Sequence, residues 1–355
     1  MGYVLKADDD VNWIPEMSRS VRPWKNICAL ARMWRLIRAE RPDIVHTHTA
    51  MAGCLGRVAA LVAGVPILVH TFHGNSLRGY FAPFVESVFR RVERLLGRFT
   101  DIVCVISEQQ LSELTADLKI VSPASCRLVP LGLDLSSFVA ITPPDPHKRP
   151  LRVGWFGRLV PVKDIPLLVR IVEATLERTA EVEFHIAGDG SERGLILEAV
   201  ERFGPRLVWH GWRKDIKPLL DDCHVLIQTS RNEGTPVALI QGMAAGRPFV
   251  STAAGGLVDM VDRPALRTTP GCSWFRNAAL VSPNPEAFAT ALLELLRNPE
   301  MLAEMGREAQ AFASFRYRKE ALVSSLDSLY RELISERLRR RTLPERDPEL
   351  LAVED

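Results

Sequence analysis

The sequence has almost no net charge, which argues against a nucleic-acid-binding surface. Its 355 residues include 45 lysines and arginines and 43 aspartates and glutamates, for a formal net charge of +2. Surfaces that bind nucleic acid need a concentrated excess of positive charge. We therefore expect the partner to be a small molecule or a lipid, and no nucleic acid.

Long apolar runs and paired cysteines are missing as well. No apolar run approaches the roughly 20 residues that span a bilayer, and residues 1–10, which end in three aspartates, lack the order of a signal peptide. The cysteines stand singly, without the paired spacing of zinc sites or small disulfide scaffolds, at Cys28, Cys54, Cys104, Cys126, Cys223 and Cys272. We expect a protein of the reducing cytoplasm.

One basic stretch interrupts the even distribution of charge. Arg90, Arg91, Arg94 and Arg98 are interleaved with apolar residues between positions 88 and 96. A basic amphipathic stretch is suited to contact with a membrane surface, here the inner face of the plasma membrane. An ordinary surface helix packed on a sheet has the same pattern, and the sequence leaves both interpretations open.

Short β-branched runs alternate with segments of helical period in both halves of the chain. Strands are predicted in the first half at 43–46, 66–70 and 101–105. In the second half they are predicted at 151–156, 182–187, 207–210, 224–227 and 248–250. This alternation is typical of parallel sheets wound with helices, so we predict an α/β protein.

Proline and charge between positions 141 and 150 mark a boundary between two domains. We predict an N-terminal domain over 1–143, a linker over 144–150 and a C-terminal domain over 151–315. A helix over 316–336 is expected to cross back to the N-terminal domain and to act as part of the hinge. The charged, proline-broken residues 337–355 are predicted to be disordered.

The loop after the first strand of the second domain has the residues of a diphosphate site. In open parallel sheets, ligands bind beyond the carboxyl ends of the strands. Gly157 is followed there by Arg158, a planar fork of donors, and by Lys163, a point charge. A plain solvated turn is the alternative interpretation.

A second loop, at 230–238, follows another predicted strand. Pro236 suits the first position of a helix, so the amides of Val237 and Ala238 would form an anion site at the positive end of the helix dipole. Phosphate would repel Glu233 in front of that site. We therefore expect Glu233 to accept hydrogen bonds from sugar hydroxyls beyond the phosphates.

Together these motifs resemble those of retaining glycosyltransferases of family 4. The resemblance rests on Glu233-Gly234-Thr235-Pro236, Ala244-Ala245-Gly246-Arg247-Pro248 and Gly255-Gly256, preceded by Gly157-Arg158 and Lys163, and on residues 42–48 and 70–74 of the first half. It implies the GT-B fold, in which two Rossmann-like domains face each other across a cleft. It also implies a C-terminal domain that holds a nucleotide sugar, an N-terminal domain that presents the acceptor, and a reaction without metal or other cofactor.

The resemblance assigns roles to individual residues. Arg158 and Lys163 would neutralise the departing diphosphate, Glu233 would fix the donor sugar, and His73 would lie near the anomeric carbon. The remaining donor-binding residues would be Gly157, Gly188, Asp189, Gly190, Arg193, Gly211, Trp212, Gly234, Thr235, Pro236, Val237, Ala238, Gln241, Gly255 and Gly256. The alternative to donor binding is that residues 188–193, 211–212 and 255–256 form glycine-rich turns of the kind found in any wound sheet. His46 and His48 share one side of a strand and are expected to be structural histidines at the cleft.

The sequence departs from the family pattern in three places. Gln241 stands where a second glutamate accepts from the ribose, which predicts a loss of roughly 1 kcal/mol of donor binding. Asp259 replaces a more usual glutamate. No counterpart of the family's first strand and glycine-rich turn precedes Trp13, so we expect a shortened N-terminal sheet and reduced activity of this chain.

The predicted activity is transfer of a glycosyl unit from a nucleoside diphosphate sugar to a hydroxyl acceptor, with retention by resemblance, in bacterial cell-surface polysaccharide or glycolipid synthesis. A nucleotide-sugar epimerase of similar architecture and a non-catalytic nucleotide-sugar-binding homologue are the alternatives. A dinucleotide-dependent dehydrogenase is disfavoured, because no Gly-x-Gly-x-x-Gly follows an opening strand.

Overall fold

The computed structural model describes residues 11–17, 23–74 and 83–342, which form two α/β domains. The predicted fold class is confirmed. The first domain contains a four-stranded parallel sheet in the order β1-β2-β3-β4. Its strands are β1 Ile44–His48, β2 Ile67–Phe72, β3 Ile102–Val105 and β4 Cys126–Leu128.

Helices cover both faces of this sheet. In chain order they are α1 Pro23–Glu40, α2 Ala50–Ala63, α3 Pro83–Gly97 and α4 Glu108–Ser112, which continues as a π-helical turn to Asp117. The next helix, α5 Ser136–Val139, packs instead on the second domain, where Phe138 lies in one apolar cluster with Leu239 and Ile240. Alternate residues of β3 belong to separate cores, because successive side chains of a strand point to opposite faces. Val103 and Val105 pack with Leu114 and Leu118, whereas Ile102 and Cys104 belong to the other cluster.

The second domain contains an eight-stranded sheet in the order β10-β11-β12-β9-β8-β5-β6-β7. Its strands are β5 Leu151–Phe156, β6 Val182–Ala187, β7 Leu207–Trp209, β8 Val225–Gln228, β9 Phe249–Thr252, β10 Arg267–Thr269, β11 Cys272–Trp274 and β12 Ala278–Val281. All neighbours are parallel except β10 with β11 and β11 with β12. This antiparallel edge was not predicted.

The helices of the second domain pack on both sides of its sheet. They are α6 Ile165–Leu176, α7 Arg193–Phe203, α8 Lys217–Asp222, α9 Val237–Ala244, α10 Pro285–Leu296 and α11 Pro299–Arg316. Within the described ranges, no helix has both the length and the apolar character needed to cross a bilayer. All six cysteines are free thiols.

The last helix, α12 Lys319–Thr342, packs on the sheet of the first domain. Leu329 and Leu333 lie in one apolar cluster with Ile67 and Val69 of β2. Residues 337–355 were predicted to be disordered. That prediction is wrong for residues 337–342, which continue α12, and the residues after Thr342 lie outside the described ranges.

The segment just before the proposed linker, at 142–143, is attached to the second domain through Arg247. This fully buried arginine donates hydrogen bonds to four backbone carbonyls, including those of Cys223 at 3.1 Å and Thr142 at 3.2 Å. Gly246, at φ 77°, lies against Pro143, whose ring is 3.0 Å from the position that a Cβ on residue 246 would occupy. The Ala-Ala-Gly-Arg-Pro motif therefore contacts the chain at the domain boundary.

Residues 1–10 and 18–22 lie outside the described ranges, and residues 11–17 contain no strand. The family's first strand and glycine-rich turn were expected to have no counterpart before Trp13. Most of the residues that this expectation concerns lie outside the described ranges. The first regular element of the described chain is α1.

Candidate active site

The candidate site lies where the strand order of the second sheet reverses. The chain proceeds from β5 outward to β6 and β7, then returns to the other side of β5 with β8 and β9. The loops after β5 and β8 consequently separate and leave a crevice, the usual ligand position of a wound sheet. These loops contain Arg158 and Lys163 on one side and Glu233 on the other.

Lys163 and Glu233 meet in this crevice as an ion pair. The ammonium of Lys163 contacts Oε2 of Glu233, and the hydroxyl of Ser230 donates to the same oxygen over 2.9 Å. Lys163 ends a short 3-10 helix, and its backbone carbonyl accepts from the hydroxyl of Thr229 at 2.7 Å. The lysine is thus fixed at both its backbone and its charged end.

A second ion pair ties the two loops together. Arg231 donates to both carboxylate oxygens of Asp164, at 2.8 and 3.0 Å, and its amide donates to the carbonyl of Val162 at 2.9 Å. Asp164, in the left-handed region at φ 50°, also caps α6 by accepting from the amide of Leu167 at 3.3 Å. Arg231 and Asp164 were not among the predicted site residues. Their opposite charges next to Lys163 and Ser230 were the available signal.

The loop at 188–190 supports the loop that carries Arg158. A Cβ on Gly188 would lie 1.7 Å from the carbonyl oxygen of Gly157, and one on Gly190 would lie 2.2 Å from that of Leu159. The amide of Leu159 donates to the carbonyl of Asp189 at 3.0 Å. These glycines therefore have a packing role that is independent of any ligand. Arg158 itself is exposed.

The next loop brings two aromatic rings and a cation to the same edge of the sheet. The amide of Gly188 donates to the carbonyl of Gly211 at 2.8 Å, and Trp212 is exposed. The guanidinium of Arg193 lies over the ring of Trp209, 4.8 Å from its centroid. An exposed indole beside these turns is suited to stacking on a planar base.

The helix predicted behind Glu233 is present, with its start one residue later than expected. Pro236 is the N-cap of α9 and not its first helical residue, because its ψ of 116° is extended. Val237 and Ala238 are the first residues of α9, so their amides have no partner within the helix. Gln241 lies one turn further along α9, half-buried.

The double glycine allows two loops to touch. A Cβ on Gly255 would lie 2.1 Å from the carbonyl oxygen of Glu233, and one on Gly256 would lie 2.1 Å from that of Gly234. The amide of Gly256 donates to the carbonyl of Glu233 at 2.8 Å. Gly255 and Gly256 therefore support the backbone that presents Glu233.

The first domain contributes His73 and Gly74, which lie against this loop. The position that a Cβ on Gly234 would take is 3.2 Å from Cα of Gly74 and 3.4 Å from the carbonyl oxygen of His73. The amide of Gln109 donates across the cleft to Oδ2 of Asp259 at 2.9 Å. The two domains are therefore in contact at the candidate site.

A set of histidines lines the first domain's side of the cleft. Nδ1 of His48 lies 2.9 Å from Nε2 of His73, and the ring of His48 stacks on that of His46. His46 lies 2.6 Å from the hydroxyl of Tyr330 on α12 and 2.7 Å from that of Thr71. Burial lowers the pKa of His46 to about 4, and it also lowers the pKa of His48 and that of His73.

These histidines are therefore neutral at pH 7, and each ring has one donor and one acceptor nitrogen. Among the residues that the structure describes, no three His, Cys, Asp or Glu side chains form a group that could hold a metal ion.

The sequence matches two families of known proteins. Residues 150–298 match the family described as "Glycosyl transferases group 1", and residues 6–132 match "Glycosyl transferase 4-like domain". The two matches divide at the domain boundary and together span most of the chain. They include both faces of the cleft described above.

Similar proteins include two bacterial glycosyltransferases. The UDP-Gal:alpha-D-GlcNAc-diphosphoundecaprenol alpha-1,3-galactosyltransferase of Escherichia coli is 29% identical over 265 residues, which cover 70% of this chain and 68% of that protein. The capsular polysaccharide biosynthesis glycosyltransferase CapM of Staphylococcus aureus is 21% identical over 355 residues, 94% of this chain and 89% of its own.

Solved structures share the fold. HepE of Anabaena, solved in complex with UDP, has a TM-score of 0.71 at 20% identity, covering 86% of this chain and 82% of its own. A sucrose-phosphate synthase of Thermosynechococcus elongatus has a TM-score of 0.71 at 21% identity, covering 89% and 81%. At these identities the likeness shows the fold alone.

Proposed function

The chain belongs to the GT-B glycosyltransferases of the family 4 type, and from this premise we propose that it transfers a glycosyl unit from a nucleoside diphosphate sugar to a hydroxyl acceptor with retention. The observation that supports the proposal best is the Lys163–Glu233 ion pair in the crevice between β5 and β8. It brings a cation suited to a diphosphate and an acceptor suited to sugar hydroxyls into contact.

The chemical task of this site is stabilisation of the leaving group. The bond between the anomeric carbon and the diphosphate oxygen breaks, and its electron pair stays on that oxygen. The acceptor oxygen forms the new bond and loses its proton. Lys163, Arg158 and the first amides of α9 are preorganised for the charge that develops on the diphosphate, which favours the transition state over the ground state.

Glu233 is proposed to hold the donor sugar, and Ser230 and Arg231 to hold Glu233 and its loop. A carboxylate that accepts from hydroxyls forms stronger hydrogen bonds than a neutral acceptor does. His73 faces this loop from the first domain, and burial lowers its pKa, so it presents a neutral imidazole to the sugar. Closure of the two domains over the donor would exclude water.

The base would lie at the edge formed by Trp212 and Gly211, beside Asp189 and Arg193. The similar HepE protein has been solved with UDP, so UDP is the first nucleotide to test. Gln241 is proposed to accept from the ribose with its amide oxygen. The reaction as proposed uses no metal and no cofactor.

The proposed acceptor is a sugar or a lipid-linked sugar of bacterial cell-surface polysaccharide or glycolipid synthesis, used in the cytoplasm at the inner face of the plasma membrane. The support comes from the Escherichia coli relative, whose name states a diphosphoundecaprenol-linked acceptor. A saccharide on a diphosphate-linked polyprenyl chain would approach the cleft from a membrane.

Isothermal titration with nucleoside diphosphates and their sugars tests the donor site. We expect one nucleotide to bind the native chain, and the Arg158→Ala/Lys163→Ala variant to lose this binding by at least about tenfold, since each removed charge costs roughly 1 kcal/mol or more. The matched control is Arg170→Ala/Arg307→Ala, which removes two exposed arginines from helices of the same domain. It should bind like the native chain.

Two readouts separate transfer from the alternatives. Consumption of the donor only when an acceptor is present supports transfer, whereas isomerisation of the donor without an acceptor would indicate an epimerase. Binding without any consumption would indicate a non-catalytic protein. The anomeric configuration of the product, measured by NMR coupling constants, tests retention.

A further inference from the structure

Helix α3 has its charged and apolar side chains in unusual places. Glu93 is buried at 1% exposure, whereas Val88 and Leu95 are exposed at 43% and 54%. Surface helices normally bury their apolar stripe and expose their charges. Packing among the described residues therefore does not explain the outward face of α3.

The buried carboxylate is accounted for by an ion pair. Nη2 of Arg57, on α2, lies 2.6 Å from Oε2 of Glu93, and both side chains are almost completely inaccessible. The charge of Glu93 is thus neutralised inside the domain. It does not reduce the positive charge at the outward face.

The outward face is a single stripe of four residues. Phe84, Val88, Arg91 and Leu95 follow each other at spacings of four, three and four, so they line one side of the helix, and all four are exposed. Exposed Arg98 and Phe99 follow directly after the helix. We call the surface of these six residues the α3 face.

The structure distinguishes Arg94 from the arginines of the α3 face. Nε and Nη2 of Arg94 both donate to the carbonyl of Leu118, at 3.0 and 2.9 Å. Arg94 therefore fixes α3 to the end of the π-helical turn after α4. Arg94 is exposed like Arg91 and Arg98, but its guanidinium is engaged with the carbonyl of Leu118. Arg91 and Arg98 are the cations of the α3 face.

We infer that the α3 face docks onto the surface of a membrane that contains anionic phospholipid. Apolar side chains interleaved with arginine are typical of helices that lie in the interface plane, with the apolar groups among the acyl chains and the cations at the headgroups. The choice of a membrane rests on charge complementarity, because the two arginines among the apolar side chains match anionic headgroups. Protein interfaces are also enriched in arginine and aromatic residues, so a protein partner is an outcome of the test below. The net charge of the whole chain is only +2, so the attraction is local to this face.

The position of α3 connects docking with the proposed reaction. β2 ends at Phe72, immediately before His73 at the cleft, and α3 is the next described element of the chain. A membrane under the α3 face would hold a lipid-linked acceptor near the domain that faces the donor loop. This consequence rests on the proposed function, whereas docking itself does not.

Sedimentation with vesicles tests the inference. Vesicles of phosphatidylcholine with one third phosphatidylglycerol should bind the native chain, and vesicles of phosphatidylcholine alone should bind it much more weakly. Binding should fall as salt is raised, because salt screens exposed charges. Arg91→Gln should weaken binding by about fivefold, and Val88→Gln/Leu95→Gln by roughly tenfold or more.

Matched variants and a soluble assay complete the test. Arg170→Gln and Leu197→Gln/Val323→Gln remove similar exposed groups elsewhere and should bind vesicles like the native chain. If the α3 variants bind vesicles as tightly as the native chain does, the inference is overturned. It is also overturned if the native chain does not bind vesicles. A shift of the α3 variants to a smaller species in gel filtration would indicate an interface between copies and would equally overturn it.

Titration with the nucleotide separates this inference from the proposed function. The α3 variants should bind it with unchanged affinity. Vesicle binding by a chain that consumes no donor would contradict the proposed function and leave the docking inference standing.

Discussion

At the scale of single residues, the ion pair between Lys163 and Glu233 means that Glu233 competes with a diphosphate for the ammonium of Lys163. The ammonium of Lys163 is paired with the carboxylate of Glu233. A diphosphate must displace the carboxylate before it interacts with the full charge of the lysine. The sugar that accompanies the diphosphate provides hydroxyls for Glu233, so a complete donor satisfies both partners and a bare diphosphate satisfies only one.

Glu233→Gln is therefore expected to change binding and turnover in opposite directions. Binding of the bare nucleoside diphosphate should tighten by about threefold to tenfold, because the competing charge is removed. The transfer rate should fall by about 100-fold or more, because the sugar loses its charged acceptor. Titration calorimetry and donor-consumption kinetics measure the two effects. Glu201→Gln, at an exposed position of α7, is the control, and weaker diphosphate binding by Glu233→Gln would contradict the competition.

The buried His70 predicts a loss of stability in weak acid. Burial, with a further contribution from Arg57, lowers the pKa of His70 to about 2, whereas an unfolded histidine titrates near 6.5, at about the reference value. The unfolded state thus binds more protons between these values. The contribution of neutral His70 to the free energy of unfolding is therefore fully present above about pH 6.5. It declines by about 1.4 kcal/mol for each pH unit below that.

Denaturant unfolding between pH 7.5 and 5 measures this dependence. His70→Gln should reduce the slope of the unfolding free energy against pH by the amount that corresponds to nearly one bound proton. The substitution should also lower stability at pH 7.5. His147→Gln, an exposed position in the linker, should keep the native slope. A slope that is the same in His70→Gln and the native chain would show that His70 does not titrate on unfolding.

At the scale of elements, the loops after β5 and β6 are held together by an approach that only glycine permits. Gly188, at φ 148°, would place a Cβ 1.7 Å from the carbonyl oxygen of Gly157. Gly194, on α7, has no atom within 4 Å of its Cβ position. The two glycines therefore form a matched pair for substitution.

Gly188→Ala should destabilise the chain by about 2 kcal/mol or more, because backbone must move away from the new methyl group. It should also weaken diphosphate binding, since the displaced segment continues to Arg158. Gly194→Ala should instead stabilise the chain by up to about 1 kcal/mol, because the Cβ position of Gly194, in the first turn of α7, is open and alanine loses less backbone entropy on folding than glycine does. Thermal unfolding and titration with nucleotide measure both. Equal tolerance of the two substitutions would contradict the close packing.

The sequence predicted the long central strands and missed the short peripheral ones. β5 and β6 have six residues each and match their predicted bounds, because continuous burial produces an apolar run that is easily recognised. β4, β10 and β11 have three residues each and were missed. β7 is equally short and was predicted at 207–210, so three residues can be recognised by their residue types but not by a period. The antiparallel edge depends on pairing that local sequence does not encode.

The predicted site residues differ in how far sequence alone could define them. Lys163 and Glu233 were assigned from charge and position after a strand, and they meet in the structure. Arg231 and Asp164 were missed, because bidentate pairing between residues 67 positions apart is visible only in three dimensions. The glycines at 188, 190, 255 and 256 were assigned to the ligand, whereas their described contacts are with protein backbone.

At the scale of the whole molecule, the two domains are connected by three separate features. Arg247 fixes the boundary segment to the second domain, and α12 continues from the second domain onto the first sheet. The third is the contact across the cleft, where the amide of Gln109 donates to Asp259 and Gly234 lies against His73 and Gly74. Only the third has to break when the cleft opens, because the others lie at the hinge.

Asp259 is therefore expected to bias the molecule towards the closed arrangement. A carboxylate that accepts from an amide at the start of α4 forms a charge-assisted hydrogen bond, worth about 1.5–3 kcal/mol. Asp259→Ala should populate a more open form, seen as a larger radius of gyration in small-angle scattering without donor. Saturating donor should restore part of the closure, because the ligand contributes its own contacts to both domains.

Hydrogen exchange at Gln109 tests the same contact locally. In Asp259→Ala this amide should exchange faster, and transfer should slow by about fivefold to tenfold, since closure must be recovered through donor binding alone. Asp262→Ala, three residues further along, removes a carboxylate from the same segment and should change neither property. Unchanged exchange and scattering in Asp259→Ala would mean that the contacts of Gly234 with His73 and Gly74 hold the cleft without the aspartate, because those contacts are retained in the variant.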